Sequence, residues 1–212
     1  MAIHEHQPLL LASRSPRRHA LLAQVGIPVI VRPVHVDESV RSMEGPEEYL
    51  NRVVADKLVA ASAVAHEPPT NGCAAILVAD TAVVIDDAIL GKPSSDLDAR
   101  EMIAELSGRE HRVMTRFAIR SLTESEVEHA ETVSTRVWFR PLGEATIDHY
   151  VATGEGADKA GAYAIQGIGA MLVSGIAGDY ANVVGLPIGA VVVALQNLGL
   201  VGHVPIVPVS GG

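Results

Sequence analysis

Short closed runs of aliphatic residues alternate along this chain with segments whose apolar positions recur every three or four residues. Leu9-Leu10-Leu11-Ala12 is such a run, ended by Ser13, and predicts a buried strand. Pro16 then falls where the first turn of a helix tolerates proline. Ala20, Leu21 and Leu22 continue a helical pattern that stops at Gly26. The opening unit is therefore strand, tight polar loop, helix. Val29 to Val31 predicts a second strand. Tyr49, Leu50, Val53 and Val54 stand at helical spacing and predict a long helix over 46–65. The Pro/Asn/Gly stretch 66–72 predicts a connector. Ala75 to Ala79 and Ala82 to Ile85 predict strand on either side of Asp80-Thr81, with a turn at Asp86-Asp87.

The second half continues the alternation. Leu97 to Leu106 predicts a helix closed by Ser107-Gly108. His111 to Leu122 and Glu131 to Phe139 predict strands joined by an acidic connector around 124–128. Thr146 to Ala152 predicts a helix, and Ala162 to Ile165 and Met171 to Val173 predict short strands. Pro187 to Leu198 predicts the last helix. Interleaved strands and helices predict an α/β fold. With no internal repeat and no linker, residues 1–212 are expected to form one domain, its core over about 8–198 and a tail over 199–212.

Composition narrows the function classes. Aromatic residues make up 3% of the chain, so the core must be built from Val, Leu, Ile and Ala. The net charge of −9 argues against a nucleic-acid polymer as partner, because that grip needs an extended basic surface. It does not exclude a small anion held by a local group of arginines or by a cation on carboxylates. A single cysteine, Cys73, rules out an intrachain disulfide and fits a reducing, cytoplasmic setting. Residues 1–8 lack the pattern of a secretory leader. The apolar stretch 183–209 is broken by Pro187, Gln196, Asn197, Gly199, His203 and Pro205. It predicts a buried helix and a tail rather than a membrane span.

Several clusters could carry chemistry. Ser13-Arg14-Ser15-Pro16-Arg17-Arg18 puts two hydroxyls and three guanidiniums at a strand-to-helix junction. Unpaired first-turn amides attract anions there, and arginines add bidentate bonds to phosphate oxygens. A capped helix start with solvated arginines is the plain alternative. Asp80, just after an apolar run, is expected at the C-terminal end of a strand, where open α/β sheets bind ligands. It could ligate a metal or take a proton from water; a turn aspartate is the alternative. Gly91-Lys92-Pro93 offers a point charge on a fixed loop but lacks the spacing of a Walker loop. Asp37-Glu38 could share a divalent cation with Asp80, or be a solvated acidic loop. Lys57 alone has the look of an ordinary solvated helix lysine. In the segment 158–167, Gln166 could present an amide to a base edge. The nine histidines show no metal-type spacing, and His111 is expected to be structural.

Taken in order, these segments resemble the Maf family of nucleoside triphosphate pyrophosphatases over about residues 8–198. Ser13 to Leu22, Asp37-Glu38, Lys57, Asp80-Thr81, Gly91-Lys92-Pro93, Ser107-Gly108 with His111 and Thr115, Asp158 to Gly167, and Gly178 to Pro187 carry the resemblance. It implies an α/β fold like that of the inosine triphosphate pyrophosphatases, with a central elongated mixed sheet flanked by helices and two lobes around a deep cleft. It implies homodimers and dependence on a divalent cation, Mg²⁺ or Mn²⁺, with Glu38 and Asp80 as metal ligands. Asp80 matches the proton acceptor. Ser13, Ser15, Arg18, Lys57 and Lys92 match the nucleotide and phosphate site. Arg17, Thr81 and Gln166 match the pattern of members acting on dTTP and UTP. Arg14 stands where many members have Gly, and Asp37 where Glu is common. The implied reaction cuts the α–β phosphate bond of a canonical or modified nucleoside triphosphate. Two rivals remain open on the sequence: a nucleotide-binding regulator of division with incidental hydrolysis, and a nucleoside phosphotransferase or phosphomonoesterase.

Overall fold

A computed structural model of the chain describes residues 2–122 and 129–205. The predicted connector around 124–128 and the end of the tail lie outside the described residues. Seven strands form one mixed sheet: β1 (Leu9–Leu11), β2 (Val29–Val31), β3 (Ala75–Ile85), β4 (Ala88–Leu90), β5 (Glu110–Ser121), β6 (His129–Phe139) and β7 (Val173–Ala177). The order is β2-β1-β3-β5-β6-β7, with β4 paired to β3. The β2, β1 and β3 pairings are parallel and all the others antiparallel. Six helices accompany it: α1 (Pro16–Gln24), α2 (Pro46–Val64), α3 (Asp96–Leu106), α4 (Glu144–Ala152), α5 (Tyr180–Val184) and α6 (Ile188–Asn197). This is the α/β class expected. Among the described residues, no helix is long and apolar enough to cross a membrane.

The sheet's two faces divide the chain's apolar residues by the period-2 rule. Odd-numbered β3 residues (Ala75, Leu77, Ala79, Val83, Ile85) join the large core under α1, α3, α4 and α6. Even-numbered ones (Ile76, Val78, Ala82, Val84) face α2. On α2 the buried positions are Tyr49, Leu50, Val53, Val54, Lys57, Leu58 and Ala61, one helical stripe. Lys57 lies within that stripe. It is therefore buried, not the solvated lysine that its type alone suggests.

Three elements differ from expectation. Asp80-Thr81 does not end a strand: β3 runs through it for eleven residues. A buried antiparallel partner, β5, pairs with it from Ala75 to Val84 and holds the polar pair in extended conformation. Ala162 to Ile165 is not a strand. Gly161 has φ of +67° and Ala162 of +57°, which no strand accommodates. Met171 and Leu172, predicted to open a strand, close a 3₁₀ turn over Gly167–Leu172, and the strand runs over Val173–Ala177. The hairpin turn at Asp86-Asp87 is present, both residues at positive φ as a tight hairpin requires, and it leads into β4, which is too short to announce itself.

The edge of β3 that β1 occupies sets the place of the site. β1 pairs up to Leu11 opposite Leu77, and β4 begins opposite Val83. Between those two partners, among the described residues, no strand pairs with the stretch around Asp80 on that side. A cleft of about 560 Å³ lies there. Its far wall is the loop around Lys159 to Ala162. Gly161 donates its N–H to Gly91 O at 3.0 Å, and a Cβ at Gly161 would meet Val83 Cγ1 at 2.9 Å. Gly161→Ala should therefore cost about 1–3 kcal/mol through left-handed strain and contact with Val83. Urea denaturation of the two proteins measures it, and an unchanged midpoint would contradict this account of the loop.

Candidate active site

Arg18 organises the loop after β1. It sits on the buried face of α1 with Leu21 and Leu22. Its Nε donates to Gly185 O at 2.8 Å, and Nη1 to Ala79 O at 2.8 Å and Ser13 Oγ at 3.2 Å. Nη2 donates to Thr81 Oγ1 at 3.0 Å. One guanidinium thus ties α1, β3 and the end of α5 together. Burial pushes its pKa down, opposed by the charges of Asp80 and Glu38. The Thr81 hydroxyl also lies 2.9 Å from Thr115 Oγ1. Asn182 continues that polar layer, donating from Nδ2 to Val113 O and Thr135 Oγ1, each at 2.9 Å.

Ser15 is the N-cap of α1, and its side chain makes no capping bond. Ser15 and the first-turn residues Pro16, Arg17 and Arg18 all line the cleft. Ser13 Oγ accepts from the Ser15 N–H at 3.2 Å, which shapes the turn. Arg17 donates from Nε to Val184 O at 3.3 Å and lines the cleft. Arg14 lines the cleft as an exposed side chain.

Across the cleft, three charges converge from three elements. Lys57 Nζ on α2 is 2.6 Å from Asp80 Oδ1 on β3 and 2.7 Å from Glu38 Oε1 on the loop before α2. It also donates to Ala79 O at 3.5 Å. Lys92 Nζ, exposed, lies 3.5 Å from Glu38 Oε2. Burial raises the Glu38 carboxyl, but Lys57 and Lys92 outweigh it and hold the group below the usual carboxylate range. Asp37 points elsewhere: its carboxylate accepts from Ser39 N and Oγ at 3.0 and 2.7 Å. It does not join Glu38 and Asp80. Thr81 and Asp80, adjacent on a strand, face opposite sides of the sheet, so Thr81 meets Arg18 while Asp80 meets Lys57.

The structure thus gathers Ser13, Ser15, Arg17, Arg18, Glu38, Lys57, Asp80, Thr81 and Lys92 around one cleft. Gln166 is not with them. It is exposed, outside the cleft lining, at the start of a 3₁₀ turn over Gly167–Leu172. The Glu155 carboxylate takes the N–H groups of Ile168 and Gly169 at 2.8 and 2.7 Å and holds that turn against Tyr150, away from Asp80.

Sequence reasoning missed two residues that hold Glu38. Tyr49 donates its hydroxyl to Glu38 O at 3.2 Å; burial, with Asp80 and Glu38 nearby, pushes its pKa well up, so it remains a donor. Arg52 grips Glu44 at 2.6 and 2.8 Å and donates to Asp37 O at 3.1 Å and Ser39 O at 2.8 Å, on either side of Glu38. Both stand one helical turn or less from one another on α2, ahead of Lys57, which is the one local sign available. Six cations (Arg14, Arg17, Arg18, Lys57, Lys92, Lys159) face three carboxylates (Glu38, Asp80, Asp158) in the cleft lining. The cleft is locally cationic in a chain of net charge −9.

A cationic cleft with a helix N-terminus at one side and paired carboxylates at the other is built for a polyanion that reacts. The chain belongs to the Maf family: the family model described as Maf-like protein matches residues 8–198. Among curated relatives, the dTTP/UTP pyrophosphatase of Desulfotalea psychrophila is 46% identical, over 88% of this chain and 92% of that one. The dTTP/UTP pyrophosphatase of an Anaeromyxobacter species is 47% identical over 96% and 97%. That of Symbiobacterium thermophilum is 47% identical over 91% and 95%.

His111 lies behind the cleft wall. Its Nε2 is 2.8 Å from the hydroxyl of Tyr163, which lines the cleft, and its ring packs edge-on against Phe139 and Tyr163. Nδ1 has no partner among the described residues. Burial pushes its pKa from 6.5 down to about 4. Between those values the unfolded chain binds the proton and the native one does not, so stability falls as pH drops. The contribution is complete above about 6.5 and is lost on the way down to about 4. Unfolded carboxylates titrate lower, near 4. In wild type the urea midpoint should decline from pH 6.5 to 4.5, and His111→Leu should flatten that slope. An equal slope in both proteins would remove His111 from the account.

Proposed function

We propose that this protein is a nucleoside triphosphate pyrophosphatase that cuts the α–β bond of dTTP and UTP, releasing the monophosphate and pyrophosphate. The observation that carries the reading is the Asp80–Lys57–Glu38 cluster, with contacts of 2.6 and 2.7 Å, facing the Ser13–Arg18 loop across one cleft. A regulator that only binds nucleotide has no need of a carboxylate pair in that place. The relatives' shared name is the second support.

In this reading the first-turn amides of α1, the Ser15 hydroxyl and the guanidiniums of Arg14 and Arg17 take the phosphates. Arg18, its donors committed to Ser13, Ala79, Thr81 and Gly185, fixes the loop that does so. Asp80 accepts the proton of a water as its oxygen attacks the α-phosphorus. The bond from that phosphorus to the bridging oxygen breaks, and pyrophosphate leaves with the electron pair. Lys92, its side chain 55% exposed at the cleft, supplies charge to the leaving group.

Two carboxylates are a small donor set. Among the described residues no group of three or more metal-binding side chains is present. Two hard oxygen donors fit Mg²⁺ or Mn²⁺, which keep waters and complete their shells with substrate phosphates. Glu38 and Asp80 would hold the cation, and it would supply Lewis-acid stabilisation of the phosphate oxygens. We also propose, as the family resemblance implies, a cytoplasmic homodimer acting on free nucleotides.

Asp80→Asn keeps the size of the side chain and should retain the fold by circular dichroism. It should lower pyrophosphate release from dTTP by about three orders of magnitude or more, the loss of a general base and a charge together. Turnover near the wild-type rate would remove Asp80 from its role, and orthophosphate as the first product would remove the reaction.

A further inference from the structure

Lys57 meets its polar partners inside the protein. An ammonium has three N–H donors, and Nζ lies 2.6 Å from Asp80 Oδ1, 2.7 Å from Glu38 Oε1 and 3.5 Å from Ala79 O. The side chain is 7% exposed, against 55% for Lys92. Without nucleotide Lys57 is thus held between the two carboxylates, whereas Lys92 stands largely in solvent.

Asp80 is buried and Glu38 half-buried, and two carboxylates drawn together there stand against desolvation and mutual repulsion only with a counter-charge. We infer that Lys57 is the resident counter-ion of the Glu38–Asp80 pair, occupying in the nucleotide-free protein the place a divalent cation takes in the loaded one. This rests on the proposed cation role of Glu38 and Asp80 and goes further, because it couples cation binding to nucleotide binding. With one positive charge already between the carboxylates, a dication entering alone meets repulsion and two oxygens already in use. Triphosphate changes that balance. Its oxygens are new acceptors for the Lys57 N–H groups, so the ammonium can turn from the carboxylates to the phosphates as the cation takes its place. Cation and nucleotide then load together, and the free enzyme ignores the metal.

The test is Mn²⁺ binding to the full chain, read as free Mn²⁺ by electron paramagnetic resonance, without nucleotide and with a non-hydrolysable dTTP analogue. Nucleotide-free wild type should bind Mn²⁺ weakly. Lys57→Met, which keeps the apolar stem in the α2 stripe, should bind it about a hundredfold more tightly without nucleotide, the effect of removing one positive charge a few ångströms away. Adding Glu38→Gln to that variant should abolish the gain. Lys57→Gln serves equally if Lys57→Met does not fold. Tight Mn²⁺ binding by nucleotide-free wild type overturns the inference without any variant, as does a Lys57 variant with wild-type affinity. The analogue arm separates this from the underlying reading. If Glu38→Gln lowers Mn²⁺ affinity in the analogue complex while the Lys57 variants gain nothing, the counter-ion role alone fails. If Glu38→Gln leaves the analogue complex unchanged, the cation role of Glu38 fails and the inference with it.

Discussion

A long strand with an interrupted neighbour shapes this molecule. β3 is paired from Ala75 to Val84 on the β5 side, but on the other side β1 stops at Leu11, opposite Leu77, and β4 covers only Val83 to Ile85. The gap gives access to the middle of a buried sheet without breaking its hydrogen bonds on the far side. Asp80 can be placed deep in the protein, 7% exposed, and still face solvent space. The rule that ligands bind beyond the C-terminal ends of parallel strands holds here for β1, whose end the Ser13–Arg18 loop continues. Asp80 reaches the same place from the middle of its neighbour.

Filling such a gap with charge requires that each charge be answered. Arg18 and Lys57 do this on opposite faces of the sheet. Arg18 satisfies the carbonyls of Ala79 and Gly185 and the hydroxyls of Ser13 and Thr81, groups that a loop and a strand edge leave bare. Lys57 answers the carboxylates. Both are long cations emerging from the apolar stripe of a helix, their stems packed with Leu22 or Val53 and their heads delivered to the cleft.

Much of this was legible in residue pattern. The aliphatic runs at 9–11 and 29–31 and the helical spacing over 46–64 are local signals, and tertiary structure agrees with them. Asp80-Thr81 misleads because a polar pair ordinarily ends a buried strand, and only pairing with β5 keeps this one extended. Ala162 to Ile165 misleads because an apolar run looks the same whether it forms a strand or packs as an irregular loop on Val83. Lys57 and Arg18 were more legible than their residue types suggest: each sits on the apolar face of its helix, and a cation at such a position needs a buried partner. Gln166, placed with the site both as an amide beside a glycine and by the resemblance, lies outside the cleft lining, and Glu155 holds the turn that follows it. Arg52 carried no such mark, since its partners, the Glu44 carboxylate and the carbonyls of Asp37 and Ser39, are brought to it only by the folded loop.

The grip of Arg52 and Tyr49 on the loop around Glu38 divides the site mechanically. Glu38 and Lys57 both belong to α2 and the segment fastened to it, while Asp80 belongs to the sheet. The distance between the two carboxylates therefore follows how closely helix and sheet pack, through Leu50, Val53, Ala82 and Val84. These aliphatic side chains act as the spacer of a caliper. A methyl group added or removed there changes the jaw opening at Asp80 and Glu38 while touching neither of them.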